Sequence, residues 1–189
     1  MFNVDKKQRY GILISGGLDS TILLSLLAKE NANLCIQPFT IPKLDGAMLY
    51  VNNIIQQINK KFNTNIPETI QVGDPTVHHR QQSSTAVKEI FSKFNIDYLY
   101  IGINPVPPEL ANVQGAPERD FTIKDPRIIF PFANYYKDKI ISLVDNLDEL
   151  AEITHSCTEL TESRCNVCWQ CQERAWAFKQ LNKIDIGKH

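Results

Sequence analysis

Apolar and polar positions alternate in blocks along the chain, and the block period changes back and forth between that of a strand and that of a helix. Tyr10 to Ser15 (Y-G-I-L-I-S) is a short apolar run rich in β-branched residues that ends at a glycine pair, the pattern of a buried parallel strand. From Asp19 to Lys29 the period becomes helical, with Ile22, Leu23, Leu26 and Leu27 on one broad face. A second strand fits Asn33 to Phe39 and stops at Pro38/Pro42, and a second helix fits Ala47 to Phe62 through Val51, Ile54, Ile55 and Ile58. A weak third strand fits Glu68 to Val72. A third helix fits Gln81 to Phe94, with Val87, Ile90, Phe91 and Phe94 inward, and Asp97 to Ile103 reads as a fourth strand. This alternation predicts right-handed βαβ units: an α/β, Rossmann-like parallel sheet with helices on both faces.

The pattern then lapses. Six of the ten prolines lie between Pro105 and Pro131, where neither period holds, so this stretch reads as a long, stiffened loop of the kind that carries function. Beyond it, Tyr136 to Leu150 has helical spacing (Ile140, Ile141, Leu143, Val144, Leu147), and a last helix fits about Gln172 to Leu181. A single unit of 189 residues follows, with the sheet over about 1–103, the proline-rich loop over 104–131 and a C-terminal segment over 153–182.

Composition narrows the partners. Twenty Lys+Arg against 21 Asp+Glu give a formal net charge of -1, which offers no bulk attraction to nucleic acid or to an acidic membrane. An anion has to be held by a local site. The first residues lack a signal-peptide apolar stretch, and the best apolar run, Ile22 to Ala28, is too short to span a bilayer, so the expectation is a cytoplasmic protein without a membrane partner.

That local site is legible between the first strand and first helix. Ser15-Gly16-Gly17-Leu18-Asp19-Ser20-Thr21 stands where an open α/β sheet places its ligand crevice. Two glycines allow close backbone approach to an anion, the helix start offers free N–H groups, and Ser15, Ser20 and Thr21 add hydroxyls. No G-x-x-x-x-G-K-[ST] is present, so this is not the Walker A loop. A plain Gly-Gly turn with Asp19 as helix N-cap accounts for part of the run but not all of it.

The five cysteines carry the second signal. Cys157, Cys165, Cys168 and Cys171 follow a C-x7-C-x2-C-x2-C spacing, enough thiolates to close a tetrahedral shell around structural Zn2+; an iron–sulfur cluster is the rival. His155 reads as a solvated neighbour, and Cys35, within an apolar strand, as a buried core residue.

The S-G-G-x-D-S run resembles the signature of the PP-loop ATP pyrophosphatase superfamily (the adenine nucleotide alpha hydrolase-like fold). With the cysteine spacing, the chain resembles its 7-cyano-7-deazaguanine synthase branch, of queuosine biosynthesis. The resemblance implies ATP binding by Ile14, Ser15, Gly16, Gly17, Leu18, Asp19, Ser20 and Thr21, with adenine near Phe39 and Thr40 and Mg2+ on the phosphates. It also implies adenylation of a deazaguanine carboxylate, ammonia as the nitrogen source, Zn2+ on the four cysteines and a homodimer. Val77 to Gln81 sits where the family has V-P-G-R-N, Gln114 to Phe121 echoes S-G-Y-P-D-C-R-D-x-F, and Pro131-Phe132 with Lys137 echoes its P-L with a following lysine. These matches make Arg80, Glu118, Arg119 and Lys137 the substrate or catalytic candidates.

Each candidate also has a plain reading: a solvated Arg80, a surface pair of Glu118 and Arg119, an exposed Lys137. The family's D-Y-G-Q-R-H is replaced by Thr40-Ile41-Pro42-Lys43-Leu44-Asp45, so the acceptor is less defined than the ATP chemistry. A tRNA-thiolating enzyme with an iron–sulfur cluster and a nucleotide-binding relative without turnover both remain open at this level.

Overall fold

The computed structural model describes residues 5, 7–31, 35–42, 46–77, 79–119, 121 and 125–187. Five parallel strands form one sheet in the order β3-β2-β1-β4-β5: β1 is Tyr10–Leu13, β2 Ile36–Thr40, β3 Ile70–Gln71, β4 Tyr98–Ile101 and β5 Ile128–Ile129. Helices α1 (Leu18–Glu30), α2 (Val51–Phe62) and α3 (His79–Lys93) make the crossovers, with a 3-10 turn at Ala47–Tyr50 leading into α2. Three further helices, α4 (Lys137–Ile141), α5 (Leu147–Ile153) and α6 (Trp169–Gln180), follow the sheet.

Strand alternation sorts the core into two layers. Tyr10, Ile12 and Ile14, with Ile36 and Tyr100, face a cluster built from α1, α2, α4, α5 and α6. Leu13, Phe39, Leu99 and Ile101 point the other way, onto Ala86 and Ile90 of α3. Both faces are covered, as a parallel sheet requires. The strand order reverses direction between β1 and β4, which opens a crevice at their C-terminal ends.

Four local readings of the sequence are corrected. Pro38 does not stop its strand: it pairs in register with Ile12, inside β2. The Ile14 N–H donates to Phe39 O, and the Val72 N–H to Thr40 O, so alternate residues of β2 face β1 and β3. Pro38 has the parity of Thr40, and its missing N–H faces a side where pairing begins only at Phe39 and Ile70. Gln37 Nε2 fills that gap, donating to Pro38 O at 3.0 Å and Glu68 O at 3.1 Å.

The proline-rich loop contributes β5, whose two residues are too few to show a period. The helix expected over Tyr136 to Leu150 is two helices, because Ser142, Asp145 and Asn146 form a turn between them while the apolar spacing runs through unbroken. Cys35 is exposed, one residue before β2, and is not part of the core. No helix among the described residues is long and apolar enough to cross a membrane.

Candidate active site and metal centre

The crevice between β1 and β4 is a cavity of about 240 Å³, lined by the phosphate loop on one side and by residues of the proline loop, α4 and α6 on the other. Gly16 makes the turn. Its φ of +84° is costly for any other residue, and a Cβ there would lie 2.0 Å from Ala47 O. Its own carbonyl accepts the His155 N–H at 3.0 Å, which ties the loop to the segment leading into the cysteines.

Of the loop candidates, Ile14, Ser15, Gly17, Leu18, Asp19 and Ser20 line the cavity. The Thr21 hydroxyl is spent on Gly17 O at 2.9 Å, which leaves it as a brace for the turn. Ser20 Oγ also donates to Gly17 O and accepts the Ser15 N–H, so the loop is prearranged by its own hydroxyls. Asp19 does not cap the helix: the N-cap is Gly17, with no side-chain bond.

Asp19 instead pairs with Lys137. The ammonium lies 2.9 Å from Asp19 Oδ2 and 2.8 Å from Glu173 Oε2, and Arg119 Nη1 lies 3.1 Å from Glu173 Oε1. Lys137 is buried, contrary to its plain reading as an exposed lysine at a helix start, and Arg119 is partly buried in the cavity wall. The four charges cancel. Burial pushes the Asp19 carboxyl up, with Lys137 opposing it and Glu173 adding to it. Burial also pushes on Glu173, but the Lys137 and Arg119 charges outweigh it and hold that carboxyl at about 2. For Lys137, desolvation works against the charge and the two carboxylates more than restore it, so its pKa is raised.

The other candidates fall elsewhere. Glu118 is exposed and does not line the cavity. Arg80 stands in the first turn of α3, with its side chain outside the described residues; Ser83, next along that helix, lines the cavity. Phe39 is fully buried with its ring edge-on to Phe94 at 5.0 Å, and Thr40 is buried too; the β2 end reaches the cavity through Ile41.

Glu173 and Asn104 were missed by sequence reasoning. Glu173 sits two residues after Cys171, on the part of α6 that turns from the cysteines toward the cavity, and only its burial reveals it.

The Sγ atoms of Cys157, Cys165, Cys168 and Cys171 all lie within 4.8 Å of one another. A tetrahedral zinc with Zn–S of about 2.3 Å needs sulfurs about 3.8 Å apart, so small closure brings them to an ion. The backbone is set for thiolates: Leu160 and Cys165 N–H donate to Cys157 Sγ, and Val167 and Cys168 N–H to Cys165 Sγ. Asn166, at φ 61°, makes the tight turn between the second and third cysteines. Against the burial that raises it, hydrogen bonds from Thr158 and Cys171 hold the Cys168 thiol at about 6; burial and the neighbouring cysteines push Cys171 to about 12. The residues fit Zn2+ and leave no open ligand position.

His155 is not solvated. It is buried, stacked on the Tyr50 ring at 5.1 Å, and lies outside the thiolate group.

A sequence profile for queuosine biosynthesis protein QueC matches residues 110–182, which take in Arg119, Lys137, all four cysteines and Glu173. Over 205 aligned positions the chain is 25% identical to 7-cyano-7-deazaguanine synthase 1 of Desulfitobacterium hafniense (strain Y51), covering 92% of each sequence. The chain is thus similar to QueC over its C-terminal part and to a 7-cyano-7-deazaguanine synthase over most of its length. The QueC match starts after the phosphate loop, while the 25% identity to the Desulfitobacterium protein spans the sheet as well. The charged quartet joins the two parts: Asp19 comes from the loop outside the QueC match, and Lys137, Arg119 and Glu173 from inside it.

Proposed function

We propose that the protein is a cytoplasmic, ATP-dependent carbon–nitrogen ligase that adenylates the carboxylate of 7-carboxy-7-deazaguanine and uses ammonia to form 7-cyano-7-deazaguanine. The observation that carries this reading is the quartet Asp19–Lys137–Glu173–Arg119, which places cationic donors from the QueC-matched segment against the phosphate loop in one cavity. The name of the Desulfitobacterium relative supports the acceptor and product, and a small base agrees with a net charge of -1 better than tRNA does.

The chemistry divides into two activations. In the first, an acceptor carboxylate oxygen attacks the α-phosphorus of ATP, the Pα–O–Pβ bond breaks and pyrophosphate leaves; ammonia then attacks the acyl carbon, AMP departs and an amide remains. In the second, another ATP activates the amide oxygen, and loss of AMP with the amide protons leaves the nitrile. No side chain has to bond covalently to substrate. The site works by positioning and by donors aimed where charge gathers.

The Ser15–Ser20 loop holds the pyrophosphate, with Ser15, Gly17 and Ser20 facing it, Ile14, Gly16 and Thr21 fixing the turn and Leu18 closing its floor. Asp19, whose Oδ1 is buried without a hydrogen-bond partner among the described residues, would hold Mg2+, which would share the phosphate charge. Lys137, already paired with Asp19 and Glu173, offers its remaining N–H to a phosphate oxygen, and adenine lies at the end of β2 against Ile41, with Phe39 and Thr40 beneath it. Arg119 faces the acceptor, while the exposed Glu118 takes no direct part. The four cysteines would hold Zn2+ in a structural role, securing the start of α6. A homodimer is the assembly expected of such an enzyme.

The test is to incubate the protein with ATP, Mg2+, ammonium and 7-carboxy-7-deazaguanine and to follow AMP, amide and nitrile by mass spectrometry. The expected result is nitrile with two AMP per product. AMP formed only with a different carboxylic acid would overturn the acceptor assignment, and no AMP with any acid would overturn the ligase reading for this chain.

A further inference from the structure

Glu173 is the most buried of the four charged residues in the quartet, and its oxygens are occupied from within the protein. Oε1 accepts from Asn104 Nδ2 at 3.0 Å and Arg119 Nη1 at 3.1 Å; Oε2 accepts from Lys137 Nζ at 2.8 Å and Arg119 Nη2 at 3.4 Å. A carboxylate offers about four lone-pair positions, so none is left for a ligand. Glu173 therefore acts on the site only through its neighbours.

The donors of Arg119 can be counted in the same way. A guanidinium has five N–H groups. Both hydrogens on Nη1 are used, one by Asn104 O and one by Glu173 Oε1, and one on Nη2 is used by Glu173 Oε2. The Nε hydrogen and the second Nη2 hydrogen have no acceptor among the described residues. They lie side by side along one edge of the plane, the arrangement that binds a carboxylate through two parallel bonds.

We propose that Glu173 is a positioning residue that holds Lys137 and Arg119 as one preset cationic pair and leaves the Nε–Nη2 edge of Arg119 for the acceptor's carboxylate. The second half rests on the acid-activating reading given above. Lys137 spends two of its three N–H groups on Asp19 and Glu173, so it keeps one for a phosphate oxygen. One buried carboxylate thus orients a donor toward the nucleotide and a donor toward the acid, which aligns the two reactants before either binds.

Three variants test this: Glu173→Gln, the milder Glu173→Asp, which keeps the charge but shortens its reach, and Arg119→Lys, which removes the planar edge. The readouts are melting temperature, zinc content, ATP affinity by equilibrium binding without acceptor, and KM for 7-carboxy-7-deazaguanine. Losing a charge-assisted bond implies about a 10-fold effect or more. Glu173→Gln should therefore keep its zinc while weakening ATP binding several-fold and raising the acid KM about 10-fold. Arg119→Lys should raise the acid KM about as much and leave the ATP affinity within about twofold.

A folded, zinc-loaded Glu173→Gln with unchanged ATP affinity and acid KM would overturn the positioning role. If Glu173→Gln fails to fold, the same criterion passes to Glu173→Asp. An unchanged acid KM in Arg119→Lys would overturn the edge assignment. If the wild type binds ATP but forms no AMP with this acid, the acceptor reading fails and the edge assignment with it, while ATP affinity in the Glu173 variants still decides that residue's role.

Discussion

Lys137 Nζ lies 2.9 Å from Asp19 Oδ2, joining the first residue of α4 to the first turn of α1, and the same ammonium separates Asp19 from Glu173. Lys137→Met leaves the buried Glu173 and the partly buried Asp19 without the cation between them. Breaking a buried pair from one side costs about 3–5 kcal/mol, so the variant should show a large fall in melting temperature and in the urea midpoint. Adding Asp19→Asn removes the repulsion and should restore part of that stability without restoring ATP binding. Unchanged unfolding in Lys137→Met would show that the pair contributes nothing.

The two glycines of the phosphate loop have different duties, which their neighbours make measurable. A Cβ on Gly16 would stand 2.0 Å from Ala47 O at a φ of +84°, whereas Gly17 has φ -82° and its nearest contact would be Ser15 Oγ at 3.3 Å. Gly16→Ala should destabilise the fold by about 2 kcal/mol or more, from strain together with the forced shift of the 3-10 turn. Gly17→Ala should stay within about 1 kcal/mol of wild type. Its ATP affinity then reports how closely the nucleotide approaches that backbone. Equal losses of stability in the two variants would contradict this division.

How much of this was readable beforehand depends on the range of the interaction. The strand–Gly-Gly–helix junction and the cysteine spacing are local patterns, and both stand as the sequence implied. The two-layer sheet followed from the period changes. Pro38 misled because a proline's effect depends on which neighbour its nitrogen faces, a property of register and not of composition. The burial of Lys137 could not be read locally: its partners Asp19 and Glu173 come from distant parts of the chain. Glu173 itself looks like any glutamate on a helix until its hydrogen-bond partners are known. Cys35 differs from its apolar pattern because β2 starts one residue later, and strand boundaries are where pattern is weakest.

The cysteine group sits where α6 begins. Cys168 is its N-cap and Cys171 lies in its first turn, with Glu173 just beyond, so thiolate coordination and the charged quartet share one helical segment. The purified protein should be colourless and hold one zinc per chain. Chelation should lower the melting temperature and weaken ATP binding together, because the turn that presents Glu173 loses its anchor. Cys165→Ser should do the same at ordinary metal concentrations. A brown protein with visible absorbance, or a chelated one that binds ATP unchanged, would contradict this account.

Arg174 is fully buried and donates from all three of its nitrogens. Nε and Nη2 reach Asp185 at 2.7 and 3.1 Å, Nη2 also reaches Ala151 O, and Nη1 reaches Thr154 Oγ1 and Ser156 Oγ, each at 3.1 Å. The segment it braces carries His155 and Ser156 into the cavity wall, so Asp185 supports the site through Arg174. Asp185→Asn strands a buried guanidinium and should cost about 3 kcal/mol or more. Burial raises the Asp185 carboxyl, but the Arg174 and Arg164 charges outweigh it and hold it below its ordinary value of 3.8. A lowered carboxylate pKa means a contribution that is full above that ordinary value and is lost as pH falls through the folded one. The stability gap between wild type and Asp185→Asn should therefore be level from neutral pH to about 5 and close below about 4, as read by paired urea denaturations. A gap that widens on acidification would show that the carboxylate is not what neutralises Arg174.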